Sequence, residues 1–176
     1  MTTDAPEGWD GILDEGEHIL WQGRPDGKVV IRATHVFTFI FGTFFAGFAL
    51  FWMIMASAAP GPFWMFGLLH FSVGIGVMIG PLAWPAWVRR HTWYTLTDRR
   101  AFIATDIPFM GRKLQSYEIS PKTPLEYEAG QPASLYFAHE YQRTKNGSRR
   151  KPIGFERIDE GETVYRLVRD VQRSVE

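Results

Sequence analysis

Cysteine is absent from the 176 residues. That excludes a disulfide scaffold, a thiolate metal site and a cysteine nucleophile. Net charge is absent too. Nineteen Lys and Arg stand against nineteen Asp and Glu, so there is no global pull toward nucleic acid. The motifs of common catalysts are missing: no G-x-S-x-G elbow, no phosphate loop ending in Gly-Lys-Ser/Thr, and no H-E-x-x-H. The five histidines, at 18, 35, 70, 91 and 139, are scattered, and none is spaced with a carboxylate as a metal pair. His139 and Glu140, as neighbours on a strand, point to opposite faces and cannot share an ion. The expectation is a protein without enzymatic activity, metal or cofactor.

The largest absence is local. The 56 residues from Ala33 to Val88 contain no Asp, Glu, Lys or Arg, so all 38 charges fall on the other 120 positions. Such segregation excludes a simple soluble globule, and an aromatic content of 15% excludes disorder. One membrane crossing needs roughly 20 residues. The block therefore fits two crossings and a tight turn, written as Ser57-Ala58-Ala59-Pro60-Gly61-Pro62. The spans read as residues 35–56 and 63–88. At about 1.5 Å per residue the first covers roughly 33 Å, enough for a ~30 Å hydrocarbon core. Pro81 and Pro85 predict that the second is kinked or ends early.

A buried hairpin inside a soluble core is the alternative. It fits poorly, because the block holds ten Phe and four Trp, more than 120 polar-rich residues could wrap. Trp84 and Trp87 precede Arg89-Arg90 as an aromatic belt precedes a cationic stop. Arg24, Lys28 and Arg32 flank span one, Arg89, Arg90, Arg99 and Arg100 follow span two, and the turn is uncharged. The positive-inside rule then places both termini in the cytoplasm. The acidic N-terminus (Asp4, Glu7, Asp10, Asp14, Glu15, Glu17) is not that of a cleaved signal peptide.

Within span two, Ser72, Gly76 and Gly80 form a small-residue ladder at spacings of four, which lets another helix approach closely. Packing against span one, through its Gly42, Ala46 and Thr43, Gly47 pairs, is the simpler reading; a homodimer seam is the sharper one. His70 is the strongly polar side chain inside a span. An ionisable group there is a functional hypothesis by default, but with no buried acid or second histidine to work with, a neutral ring bonded to a nearby carbonyl is expected.

Outside the block the periodicity is that of strands. Ile19 to Gln22 is a short one. Trp93 to Thr97 and Ala101 to Thr105, around Asp98-Arg99-Arg100, read as a hairpin. Further strands are expected at 112–119, 125–128, 134–143 and 152–157, with Asn146-Gly147 as a hairpin turn. A helix follows, capped by Asp159 with Glu162 three residues on. Its apolar face is Val164, Leu167, Val168 and Val171. The expected organisation is an N-terminal segment 1–34 packing on the C-terminal domain, a membrane hairpin 35–88, and a strand-rich domain 89–176.

The run Tyr94-Thr95-Leu96-Thr97-Asp98-Arg99-Arg100-Ala101-Phe102-Ile103 resembles the signature of bacterial pleckstrin-homology-like (PH-like) membrane proteins of the two-transmembrane-helix type. So do the upstream Gly16-Glu17-His18-Ile19-Leu20-Trp21-Gln22-Gly23-Arg24-Pro25, the two spans between, and Gly154-Phe155-Glu156-Arg157-Ile158 before a helix. The resemblance implies an α+β membrane protein. A helical hairpin is followed by a small PH-like antiparallel β-barrel or sandwich with a C-terminal helix, tethered to the bacterial inner membrane. It implies a fold rather than an activity.

Two basic clusters could meet a partner. Asp98 is expected to accept bonds from its turn amides, leaving Arg99 and Arg100 for lipid phosphates or for acids such as Glu118. Lys145, Arg149, Arg150 and Lys151 gather on one hairpin tip. They either guard a sheet edge or attract an anionic leaflet, at about 1 kcal/mol each. The leading expectation is a membrane-anchored module that binds a protein or peptide partner, or its own copies. An anionic headgroup sensor and an accessory subunit of a transporter or envelope enzyme, docked through span two, are the alternatives. Neither nucleic acid nor a small-molecule substrate is indicated.

Overall fold

The computed structural model describes residues 8–9, 11–144 and 147–174. The chain is α+β. Two long apolar helices near the N-terminus are followed by antiparallel sheets and a C-terminal helix. It divides into two units: residues 27–88, and a discontinuous unit made of residues 1–26 and 89–176.

In the first unit, helix α1 spans Ala33–Ala56 and helix α2 spans Phe66–Arg90, with a 3-10 turn at Pro62–Met65 between them. Both helices are long and apolar enough to cross a membrane. A core helix of a soluble protein would be mostly covered, yet only 17% and 11% of their most apolar stretches are buried. The Phe side chains that are outward, such as Phe37, Phe44 and Phe48, therefore suit a lipid environment. At the start of α1 the Arg32 amide donates to His35 Nδ1 at 3.3 Å, so His35 caps the helix. Pro81 and Pro85 lie inside α2 without ending it. The early stop expected from them does not occur, because a proline removes only its own helical bond and local adjustment can re-satisfy the freed carbonyl.

The close seam of this hairpin is made of small residues. A Cβ added to Gly42 would sit 2.7 Å from the Gly74 carbonyl, and one added to Gly74 would sit 2.8 Å from Ala46 Cβ. Gly67 faces Met53 in the same way. Nothing lies within 4 Å of the corresponding positions at Gly76 and Gly80, and Ser72 is exposed. The Ser72-Gly76-Gly80 ladder thus lies off the seam with span one, and the register is carried by Gly67 and Gly74 instead. Four-residue steps from Gly76 cannot reach the face of Gly74, two residues or about 200° away.

Among the described residues the second unit holds seven strands and one helix. Strands β1 (Ile19–Gly23), β2 (Thr92–Thr97), β3 (Arg100–Ile107) and β4 (Gly111–Glu118) form one antiparallel sheet in that order. Strands β5 (Glu126–Glu128), β6 (Ala133–Thr144) and β7 (Gly147–Ile158) form a second. Among the described residues the two sheets do not join into a closed barrel. The inward rows are set by period-two alternation: Tyr94, Leu96, Ala101, Leu135 and Phe155 are buried together. Helix α3 (Gly161–Ser174) lays Val164, Val168 and Val171 on this core, with Leu167 packed partly buried beside them. It begins two residues after Asp159, so Asp159 is not adjacent to the first helical residue. The neighbouring Glu160 carboxylate instead accepts the Trp21 indole N–H at 2.7 Å, linking β1 to the helix start.

Candidate functional site

The outer face of the four-stranded sheet carries the site. Register places Gln22, Thr95, Phe102 and Ser116 in one row across the four strands, and Trp93, Ala104 and Leu114 in the next. Side chains two apart on a strand share a face, so both rows point away from the core. Trp93 and Leu114 remain 38% and 44% exposed. The small Ala104 between them leaves a depression, and the whole forms an open cleft of ≈ 710 Å³.

A strap from the N-terminal segment covers the other end of this face. Trp9 meets Phe102 edge-on, with ring centroids 5.2 Å apart. Glu17, its side chain fully buried, is gripped by the Arg100 guanidinium and accepts the Thr97 hydroxyl at 2.6 Å. The Asp14 amide donates to the same carboxylate at 2.9 Å. Burial alone would raise the Glu17 carboxyl; the bonds from Arg100, Thr97 and Asp14 outweigh it and hold it at about 2. The Glu17 carboxylate in turn pushes Arg100 above its ordinary value. Arg100 also bonds the Ile12 carbonyl at 3.3 Å and Asp14 at 3.2 Å.

Arg100, expected to face lipid phosphate or Glu118, is therefore spent on the strap. Glu118 is its Cα partner across the strands, but the guanidinium leans over Phe102 toward the strap. Asp98 also differs from expectation. Its carboxylate accepts the His18 amide at 3.0 Å, while Thr97 Oγ1 accepts the amides of Arg99 and Arg100. Arg99 is exposed, with one contact to the Glu15 carbonyl at 3.4 Å.

On the second sheet, Arg150 pairs with Glu126 at 2.8 Å and reaches the His139 ring. His139 lies 3.4 Å from Glu126. Lys151 is exposed opposite Glu140. Lys145 and Asn146 lie outside the described residues, as does the side chain of Arg149; β6 and β7 pair up to Thr144 and Gly147. Arg150 thus belongs to an ion-pair cluster on the sheet. In the hairpin unit, His70 Nδ1 donates to the Phe66 carbonyl at 3.2 Å, one helical turn back. Its ring sits between Phe45 and Phe66, beside a small apolar cavity lined also by Phe48, Ala49 and Trp52.

The cleft has a cationic edge. Arg24 stacks on Trp93, 4.5 Å from the ring centroid, and Arg112 and Lys113 line the β4 side. The one carboxylate there, Asp106, is already held by Arg112 at 3.0 Å. Alternation along β2 and β3 was a usable signal for Trp93 and Ala104. Nothing in the local sequence marks Glu17 as the partner of Arg100. No group of three or more His, Asp or Glu able to hold a metal occurs among the described residues. Comparison with protein-family models, with curated proteins and with solved structures finds no match to this chain.

Proposed function

We propose that the protein is a membrane-anchored, non-enzymatic PH-like module that binds a protein or peptide partner at the cytoplasmic face of the bacterial inner membrane. The observation that carries the proposal is the open apolar cleft on an outer sheet face, in a unit interrupted by a hairpin long enough to cross a bilayer. Exposed apolar surface of that kind, rimmed by charge, is the usual mark of an interaction site. The positive-inside pattern supports the cytoplasmic placement, and the resemblance of the 94–103 and 154–158 runs supports the PH-like reading.

The headgroup-sensor reading has less support. Two of its cations, Arg100 and Arg150, are engaged by Glu17 and Glu126; of those described, Arg99 and Lys151 are exposed. The discriminating experiment is solubilisation of native membranes in mild detergent, followed by affinity purification and cross-linking. A stoichiometric partner, or a defined homo-oligomer, is expected. A strictly monomeric protein with nothing retained would count against the proposal.

A further inference from the structure

The cleft and the strap beside it carry information about the partner's chemistry, on the footing of the binding-module reading. The strap is a peptide already seated on this sheet face. Its described residues 8–9 and 11–17 hold three carboxylates and no Lys or Arg. Their contacts include an aromatic ring on Phe102 and carboxylates on Arg100. The part of the face that no described residue covers repeats both features. Trp93, Ala104 and Leu114 form an apolar row. Arg24 stacks on Trp93, Arg112 shares the face with its partner Asp106, and Lys113, on the other face of β4 by alternation, stands at the rim. Beside it, β4 ends the sheet. Among the described residues no strand pairs with its outer edge; at its end the Thr123 hydroxyl donates to the Glu118 carbonyl at 3.4 Å. An unpaired edge accepts an added strand, with affinity from main-chain bonds and specificity from alternate side chains.

We infer that the cleft binds an extended acidic peptide of another protein, aligned along β4, with an aromatic or branched apolar side chain over the Ala104–Leu114 row and its carboxylates toward Arg112 and Arg24, with Lys113 at the rim. Charge complementarity selects the acidic peptide. The apolar row requires a large side chain, since a purely anionic ligand would leave Trp93 and Leu114 uncovered.

The test uses the full chain in nanodiscs of neutral phosphatidylcholine and a labelled peptide with the sequence of residues 8–17. Saturable binding is expected, with slowed hydrogen exchange at the β4 amides. The double variant Arg112→Glu, Lys113→Glu, at two exposed positions, should weaken binding at least about tenfold. So should a peptide with its carboxylates replaced by amides or its Trp by Ala. Binding that survives the charge reversal, or no binding at all, would overturn the inference. Protection of β4 by anionic phosphatidylglycerol in the disc, and not by peptide, would make the cleft a headgroup site and equally overturn it. An oligomer that the peptide dissociates would identify the occupant as a second copy, against the inference. A partner retained from native membranes by the double variant would refute the cleft assignment while leaving the binding-module reading intact; failure of both assays would remove both.

Discussion

Asp26 and Arg157 stand 131 positions apart, on opposite sides of the apolar hairpin, yet they hold each other twice. Arg157 Nη2 bonds Asp26 Oδ2 at 2.8 Å, and the Asp26 amide donates to the Arg157 carbonyl at 2.7 Å. The Arg157 amide donates in turn to Ser134 Oγ at 3.1 Å, and its backbone has a positive φ of 53°. These bonds close the discontinuous unit where the chain leaves for the hairpin. The segment up to Asp26 is thereby part of the strand-rich unit, while residues 27–32 go with the hairpin unit.

Arg157→Ala should therefore destabilise this unit by about 1–3 kcal/mol, the usual cost of removing one partner of a part-buried pair. A double-mutant cycle with Asp26→Ala should show that the two losses are not additive. Thermal unfolding of the full chain in detergent, followed by near-ultraviolet circular dichroism, measures it. Additive losses would show that the pair is uncoupled.

Acid should release the strap. The Glu17 carboxyl titrates near 2 in the folded chain against 4.5 for an ordinary glutamate. A depressed carboxyl contributes stability that is complete above 4.5 and is lost as pH falls toward 2. The contribution is on the order of 3 kcal/mol. The exchange protection of the Thr97 and Arg100 amides, corrected for the intrinsic pH dependence, should fall across that window in the wild type. In Glu17→Gln it should be lowered already at neutral pH, with no further step. A step of equal size in both proteins would assign the transition to other groups.

The hairpin seam should discriminate between glycines. Gly74→Val places a side chain against Ala46 and should weaken helix pairing by about 1–3 kcal/mol. Gly76→Val has open space and should leave the pairing unchanged. Denaturant titration of helicity in micelles compares the two. Equal losses would move the seam to the Ser72-Gly76-Gly80 face.

Gly154 should tolerate no side chain. A Cβ there would run into the Leu135 carbonyl and the Tyr136 Cα across β6, both backbone and neither able to swing aside. Gly154→Ala should lower the melting temperature of the strand-rich unit. The control Gly130→Ala, whose nearest neighbour is 3.3 Å away on the surface, should change it little.

Much of the fold was legible because it rests on local chemistry. Alternation of apolar residues placed β2, β3, β4 and β6 close to their observed bounds, whereas β7, expected at 152–157, begins at Gly147; the i, i+3, i+4, i+7 pattern marked the face of α3 that lies on Leu135 and Phe155. Element ends were less legible. Proline at 81 and 85 signals a helix stop by its chemistry, yet α2 runs on to Arg90, and the cap expected at Asp159 shifts by one residue, since the Glu160 carbonyl accepts the Val164 amide that opens the helix.

The sites divide along the same line. Which residues are cationic, aromatic or small follows from composition, and their strand face follows from parity. Which of them are already partnered does not. Arg99 and Arg100 are adjacent and chemically identical, but Arg100 is held by Glu17 83 positions away, while Arg99 is exposed. Ser72-Gly76-Gly80 and Gly67-Gly74 are both small-residue sets on one helix, and only the second meets α1.

Two apolar helices long enough to cross a bilayer, interrupting a strand-rich unit, are written in the local pattern of residues. Charge and hydrophobic periodicity act locally and can be read one element at a time. Tertiary packing, not local pattern, sets Trp9 and Asp14 to Glu17 on a sheet face as a strap, beside an apolar cleft that no described residue fills. Those outcomes depend on pairings across 80 positions or more, where many partners have the right chemistry and packing selects one.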